Sequence, residues 1–267
     1  MTDALRIRPP AVAGAFYPAD PAALERLIDA SIADAVSPPP DGADPTALVV
    51  PHAGYVYSGP IAASAYLRLG SRRDRIRRVV LLGPSHHALV PGMALSGADV
   101  WRTPLGDVAL DTEARDRLLA LPRVDVDDAA HAPEHCLEVQ VPFLQRVLGD
   151  IALVPVLVGD ATAEEVAAVV ESFWADPETL VVVSTDLSHY HAYREAQALD
   201  ERTAVAIVAR RPDDIDRLDA CGARPLRGLL RAAADADRTV EQLDLRNSGD
   251  TAGDRTRVVG YGAFAVA

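Results

Sequence analysis

The chain is poor in cysteine, in aromatic side chains and in positive charge, and each shortage narrows what it can be. Only two cysteines occur in 267 residues, Cys136 and Cys221, in unrelated contexts. A disulfide framework is thereby set aside, which agrees with a reducing compartment. The net charge of −13 and isoelectric point near 4.9 argue against a nucleic-acid surface, because phosphate binding needs clustered Lys and Arg. One local exception, Arg72, Arg73, Arg75, Arg77 and Arg78, reads as a solvated helix end rather than an anion patch. No apolar run approaches the roughly 20 residues that a membrane span needs, and the opening MTDALRIRPPAVAG lacks a basic segment followed by an apolar one. A cytoplasmic protein is the expectation.

What is present is ordinary for a globular α/β chain, with 49% hydrophobic and 24% charged residues. Asp20 as N-cap and Pro21 at the first helical position open a helix in which Leu24, Leu27, Ile28 and Ile32 recur at helical spacing. The stretch Ser37–Pro45 is the clearest loop. Short apolar runs at Ala47–Val50, Val79–Leu82, Ile151–Val158, Leu180–Val183 and Val258–Val266 read as buried strands. Helical patterns lie between them, around Ile61–Leu69, Glu113–Leu121, Glu138–Leu148, Ala163–Phe173 and Glu195–Ala209. The alternation predicts one domain over residues 1–267, a largely parallel sheet with helices on both faces.

All seven histidines fall between His52 and His191. Three sets follow predicted strands directly: LVV runs into PHAGY with His52, VVLL into GPSHH with His86 and His87, and LVVV into STDLSHY with Asp186, His189 and the nearby His191. In open α/β sheets, residues just past parallel strands share one crevice although they are distant in sequence. Imidazole is the commonest transition-metal ligand, and carboxylate or thiolate completes such sites. A histidine after a strand also serves simply to bond backbone, and position alone does not single out the ligands. Gly54 and Gly83-Pro84 fit tight turns or close backbone approach at these strand ends, with no phosphate-loop pattern.

HAPEH, His131 to His135, matches an inverted zinc-peptidase pattern in form only. That pattern needs both histidines on one continuous helix, and Pro133 reads better as the start of a helix with His131 before it. In the helix that follows, Leu137, Val141, Leu144 and Leu148 form a core stripe, while His135 and Glu138 share a flank, either leaning into the crevice or pairing on the surface. Cys221 precedes a helical pattern starting near Pro225, a place that tends to lower a thiol's pKa. Cys136 reads as buried filler.

Taken in order, RPPAVAGAFYP, VPHAGYVYSG, LLGPSHH, EHCLEVQVPFL, PVLVG, STDLSHY, CGARP and SGDTAGDRTRVVGYGAFAV resemble the Memo family, whose bacterial members are called AmmeMemoRadiSam system protein B. The resemblance runs from Arg8 to Val266. It implies a fold similar to class III extradiol dioxygenases, a three-layer αβα sandwich with a parallel or mixed sheet. It also implies a metal site of His52, His86 and Cys221, with Asp186 and His189 as catalytic residues and His189 placed like the dioxygenase general base. His135 and Glu138 are further pocket candidates.

Iron(II) or copper is the expected cofactor, with zinc admitted because a thiolate is a softer ligand than a carboxylate. Sulfur in the ligand set also puts inherited ring-cleavage activity in doubt. Where relatives commonly read EHS, this chain reads EHC, which places Cys136 near the pocket edge. Three functions are thus expected in order: a metal-dependent redox enzyme acting with radical-SAM and AMMECR-like partners, a non-catalytic module binding a peptide or partner in the same crevice, and a metal-dependent hydrolase.

Overall fold

The structure, a computed structural model, describes residues 5–38 and 43–267. Part of the loop expected over Ser37–Pro45 therefore lies outside the described residues. The strands are β1 (Ile7–Arg8), β2 (Ala47–Val50), β3 (Arg78–Pro84), β4 (Met93–Leu95), β5 (Val100–Thr103), β6 (Gly106–Ala109), β7 (Val124–Val126), β8 (Ala152–Val158), β9 (Thr179–Ser184), β10 (His189–His191), β11 (Val240–Asn247) and β12 (Val258–Val266). The helices are α1 (Pro21–Ala33), α2 (Tyr55–Leu67), α3 (Thr112–Leu118), α4 (Asp128–His131), α5 (Val141–Leu148), α6 (Ala163–Glu171), α7 (Tyr193–Val208) and α8 (Ala223–Asp235). No helix among the described residues is long and apolar enough to cross a membrane.

Nine strands form one mixed sheet in the order β10-β12-β2-β9-β3-β8-β4-β7, with β11 also paired to β12, and β1-β5-β6 make a separate small sheet. Its centre, β2-β9-β3-β8, is parallel throughout. These four strands are apolar on both faces because both are covered. Leu48, Val50, Val79, Leu81, Leu180 and Val182 face a core shared with α1, α2 and α5. Their neighbours Val49, Val80, Leu82, Val181 and Val183 face a second core shared with α3, α6, α7 and α8. The result is the expected three-layer αβα sandwich.

Local chemistry sets the helix starts. The Asp20 carboxylate accepts the Ala23 N–H at 2.8 Å with Pro21 at the first helical position, as expected. A reciprocal box between Thr162 and Glu165 opens α6. Elsewhere the chain departs from its pattern. α2 begins at Tyr55, six residues before Ile61. Pro133 starts no helix: α4 ends at His131, a turn and a short 3₁₀ segment follow, and α5 carries Pro142 in its first turn. Arg72 is no solvated helix end either. It is buried and donates to the carbonyls of Pro45 and Thr179, tying the β2 approach to β9.

Candidate metal centre

Parallel strands end on the same side, so the carboxyl ends of β2, β3 and β9 deliver His52, His86 and Asp186 to one place. Cys221 arrives from the other direction, immediately before α8, and the segment after α4 brings His135. The His52 ring lies 5.3 Å from that of His86 and 5.5 Å from that of His135. One potential ligand atom from each of these three histidines lies within 4.8 Å of the others, so they could hold a metal ion.

The hydrogen bonds fix the His52 tautomer. Ser184 has one hydroxyl proton, and it is donated to the Cys136 carbonyl at 2.7 Å. The same oxygen accepts from Gln140 Nε2 at 2.9 Å and lies 3.0 Å from His52 Nδ1, so Nδ1 must carry the proton. Nε2 is left with a free lone pair, 3.3 Å from Cys221 Sγ. Burial, reinforced by the neighbouring His86 and His135, pushes the His52 pKa well down and keeps the ring neutral. A neutral imidazole whose second nitrogen is anchored is the form a metal takes.

Glu134 does the same for His86 and His135. Its Oε1 accepts from His86 Nδ1 at 2.9 Å and lies 3.3 Å from His135 Nδ1. Backbone N–H groups of His86, His135 and Cys136 complete its shell. Burial alone would raise this carboxyl, but the bonds from His135 and His86 outweigh it and hold it well below the usual carboxylate range. Glu134 therefore only accepts, and Nε2 of each ring is the free nitrogen. Neither Glu134 nor Gln140 was picked out by the sequence reading; the one usable signal was Glu134 standing directly beside His135.

Cys221 contradicts the expectation of an acidified thiol. Burial, and then the Asp186 carboxylate, push its pKa up to about 12, outweighing bonds from the Asp186 and Gly222 backbone and Thr185. The free thiol therefore keeps its proton at neutral pH. Asp186, raised by its own burial, accepts the His52 N–H at 2.7 Å and so ties β9 to β2 beneath the site. His189 begins β10 and lines the same cleft of about 1150 Å³, with Phe16, Tyr57 and Tyr261 among its walls. A smaller cleft of about 630 Å³ reaches His86 and Cys221 from the other side, past Leu89 and Arg224.

One expectation fails here and two hold. Glu138 neither leans into the crevice nor pairs on the surface with His135: it is buried and accepts from Arg8, the Ala11 and Val12 N–H groups and the Tyr17 hydroxyl. The cause is that residues 132–137 are turn or irregular and the 3₁₀ segment starts only at Glu138, so His135 and Glu138 do not share a helical flank. His131 and His135 do not converge, because His131 is buried against Ala94 O and Trp101. Cys136 is indeed buried, with its thiol donating to Pro84 O at 3.1 Å. Gly83 makes room for it, since a Cβ there would come within 2.7 Å of the sulfur.

Residues 8–265 match the family of Memo-like proteins. The chain belongs to that family. It is similar to MEMO1 family proteins of Aquifex aeolicus (35% identical, 96% of this chain and 98% of the relative) and Ignicoccus hospitalis (36%, 96% and 97%). The same holds for one from Methanopyrus kandleri, 39% identical over 96% of this chain and 98% of the relative. A solved structure of an uncharacterized Escherichia coli K12 protein aligns over 80% of this Memo-like chain and 98% of its own, with TM-score 0.46 and 14% identity, a likeness too loose to bear on the site.

Proposed function

We propose that this Memo-like protein holds one redox-active ion, iron(II) or copper, between His52, His86 and Cys221 and uses it, with dioxygen as the electron acceptor, to oxidise a small molecule bound in the larger cleft. The supporting observation is the 3.3 Å approach of His52 Nε2 to Cys221 Sγ. Two ligands on one tetrahedral ion, with bonds near 2.0 Å to nitrogen and 2.3 Å to sulfur, stand about 3.5 Å apart. This one pair thus stands close to the spacing an ion would need, while the histidine group with ligand atoms within 4.8 Å of one another, His52, His86 and His135, does not include Cys221. Bound there, the ion would supply Lewis acidity and electron exchange, and the soft sulfur draws the preference toward copper.

The protein's own part is orientation and proton handling. Ser184 and Glu134 hold the imidazoles in their ligating tautomers. Asp186 fixes the His52 backbone, and His189 on the cleft wall takes a proton from the bound molecule. In this reading the protein is cytoplasmic and works beside radical-SAM and AMMECR-like proteins. The test is metal content by mass spectrometry on protein purified without air. Near-stoichiometric iron or copper is expected in the wild type and its loss in folded His52→Ala and Cys221→Ala. A folded, metal-free wild type overturns the reading, and zinc alone turns it toward a hydrolase.

The cleft rim favours one second reading. Tyr190 and Leu218 are 64% and 84% exposed beside the cleft, as a surface for a peptide or protein partner would be. Partner capture that survives joint replacement of Asp186 and His189 would support a binding module instead.

A further inference from the structure

The resemblance supplies two histidines and one cysteine, yet a third imidazole stands equally close. We infer that His135 is a fourth ligand, so that the ion sits in a set of three nitrogens and one sulfur from His52, His86, His135 and Cys221. The inference rests on the proposed metal site and extends it.

His135 is held as a ligand is held. Its ring packs between Phe16, 4.7 Å away on one side, and His86, 4.8 Å away and within 24° of parallel. Its Nδ1 turns to the Glu134 oxygen that also takes the His86 Nδ1 proton. One carboxylate therefore sets both tautomers, and each ring keeps Nε2 for a cation. His52, His86 and His135 already have ligand atoms within 4.8 Å of one another. Nitrogens on one tetrahedral ion stand about 3.3 Å apart, so the rings must draw in by up to roughly 1.5 Å, and the Cys221 sulfur, in contact with His52 but outside that group, must approach His86 and His135 as well. The cation would replace the thiol proton of Cys221 and gather the three lone pairs; no other bond is made or broken. A four-coordinate ion would then be fully enclosed by protein ligands, whereas a six-coordinate iron(II) would keep two positions for other molecules.

Cobalt(II) titrated into the metal-stripped full chain tests this by absorption. The wild type is expected to show a sulfur-to-cobalt charge-transfer band together with intense four-coordinate d–d bands. His135→Ala should keep the first, lose intensity in the second and bind cobalt at least about 10-fold more weakly. His135→Cys, which a merely structural role would not predict to matter, should roughly double the charge-transfer intensity as a second thiolate joins the ion. Circular dichroism confirms that each variant is folded. Unchanged d–d bands and affinity in His135→Ala, or unchanged charge transfer in folded His135→Cys, overturn the fourth ligand while leaving the three-ligand site standing. A wild type that gives neither band overturns both.

Discussion

Glu134 and Glu138 lie four residues apart and are equally inaccessible, 2% and 1% exposed, but what surrounds them differs in kind. Glu134 faces two imidazoles at the edge of a cleft, and its charge is met by hydrogen bonds that orient those rings. Glu138 faces the Arg8 guanidinium, stacked in turn on Trp101, and its charge joins the N-terminal segment to the stretch between α4 and α5. Burial alone therefore does not reveal a functional carboxylate. The partners do: titratable rings in one case, a permanent cation in the other.

The contrast predicts separable losses. Glu138→Ala should cost most, about 3–5 kcal/mol in a urea melt, because it strands the buried Arg8 charge. Metal stoichiometry of the folded protein should be unchanged, and a parallel loss of metal would erase the distinction between the two regions.

His131 belongs to the Glu138 side, since Arg8 Nε donates to its carbonyl. Burial lowers its pKa to about 4, Nε2–H is bonded to Ala94 O, and Nδ1 has no partner among the described residues. The unfolded chain binds the proton near pH 6.5 and the folded one near 4, so stability is present above about 6.5 and falls as pH drops between those values. The loss is bounded at about 3.4 kcal/mol over that window, and His131→Gln should flatten this part of the stability–pH curve. An unaltered slope in the variant would remove His131 from the account.

Glu134→Gln should show the smallest effect, on binding rather than folding. It is expected to weaken metal affinity by about 10–100-fold, or roughly 1.4–2.7 kcal/mol, by unfixing two ring tautomers. Should it unfold the protein more than Glu138→Ala does, the two carboxylates have been assigned the wrong way round.

The sheet was largely legible because its central strands carry near-continuous apolar runs, and Ala47–Val50 and Val258–Val266 begin and end where their residues suggested. The short strands β4 to β7, and β11 with its alternating VEQLDLRN, carried no such run and are held by pairing rather than by local pattern. Convergence of His52, His86 and Asp186 followed from parallel topology. The turn of Glu138 toward Arg8 and of Glu134 toward the rings did not, because contacts 130 and 48 residues distant leave no local periodicity. Cys221 departs from its local pattern for a similar reason: nearness to a helix start is written locally, whereas partial burial against Asp186 is not.

His52 and Cys221 touch across 169 residues of chain, with three of the four central strands, β3, β8 and β9, threaded between them. Contacts this distant form late and slowly in folding. The pocket is complete only once these distant segments have met, so a cation held there would favour the finished molecule over a partly folded one. By mass action such a cation would act as a latch on the completed fold, worth about 2.7 kcal/mol when free ion is 100-fold above its dissociation constant.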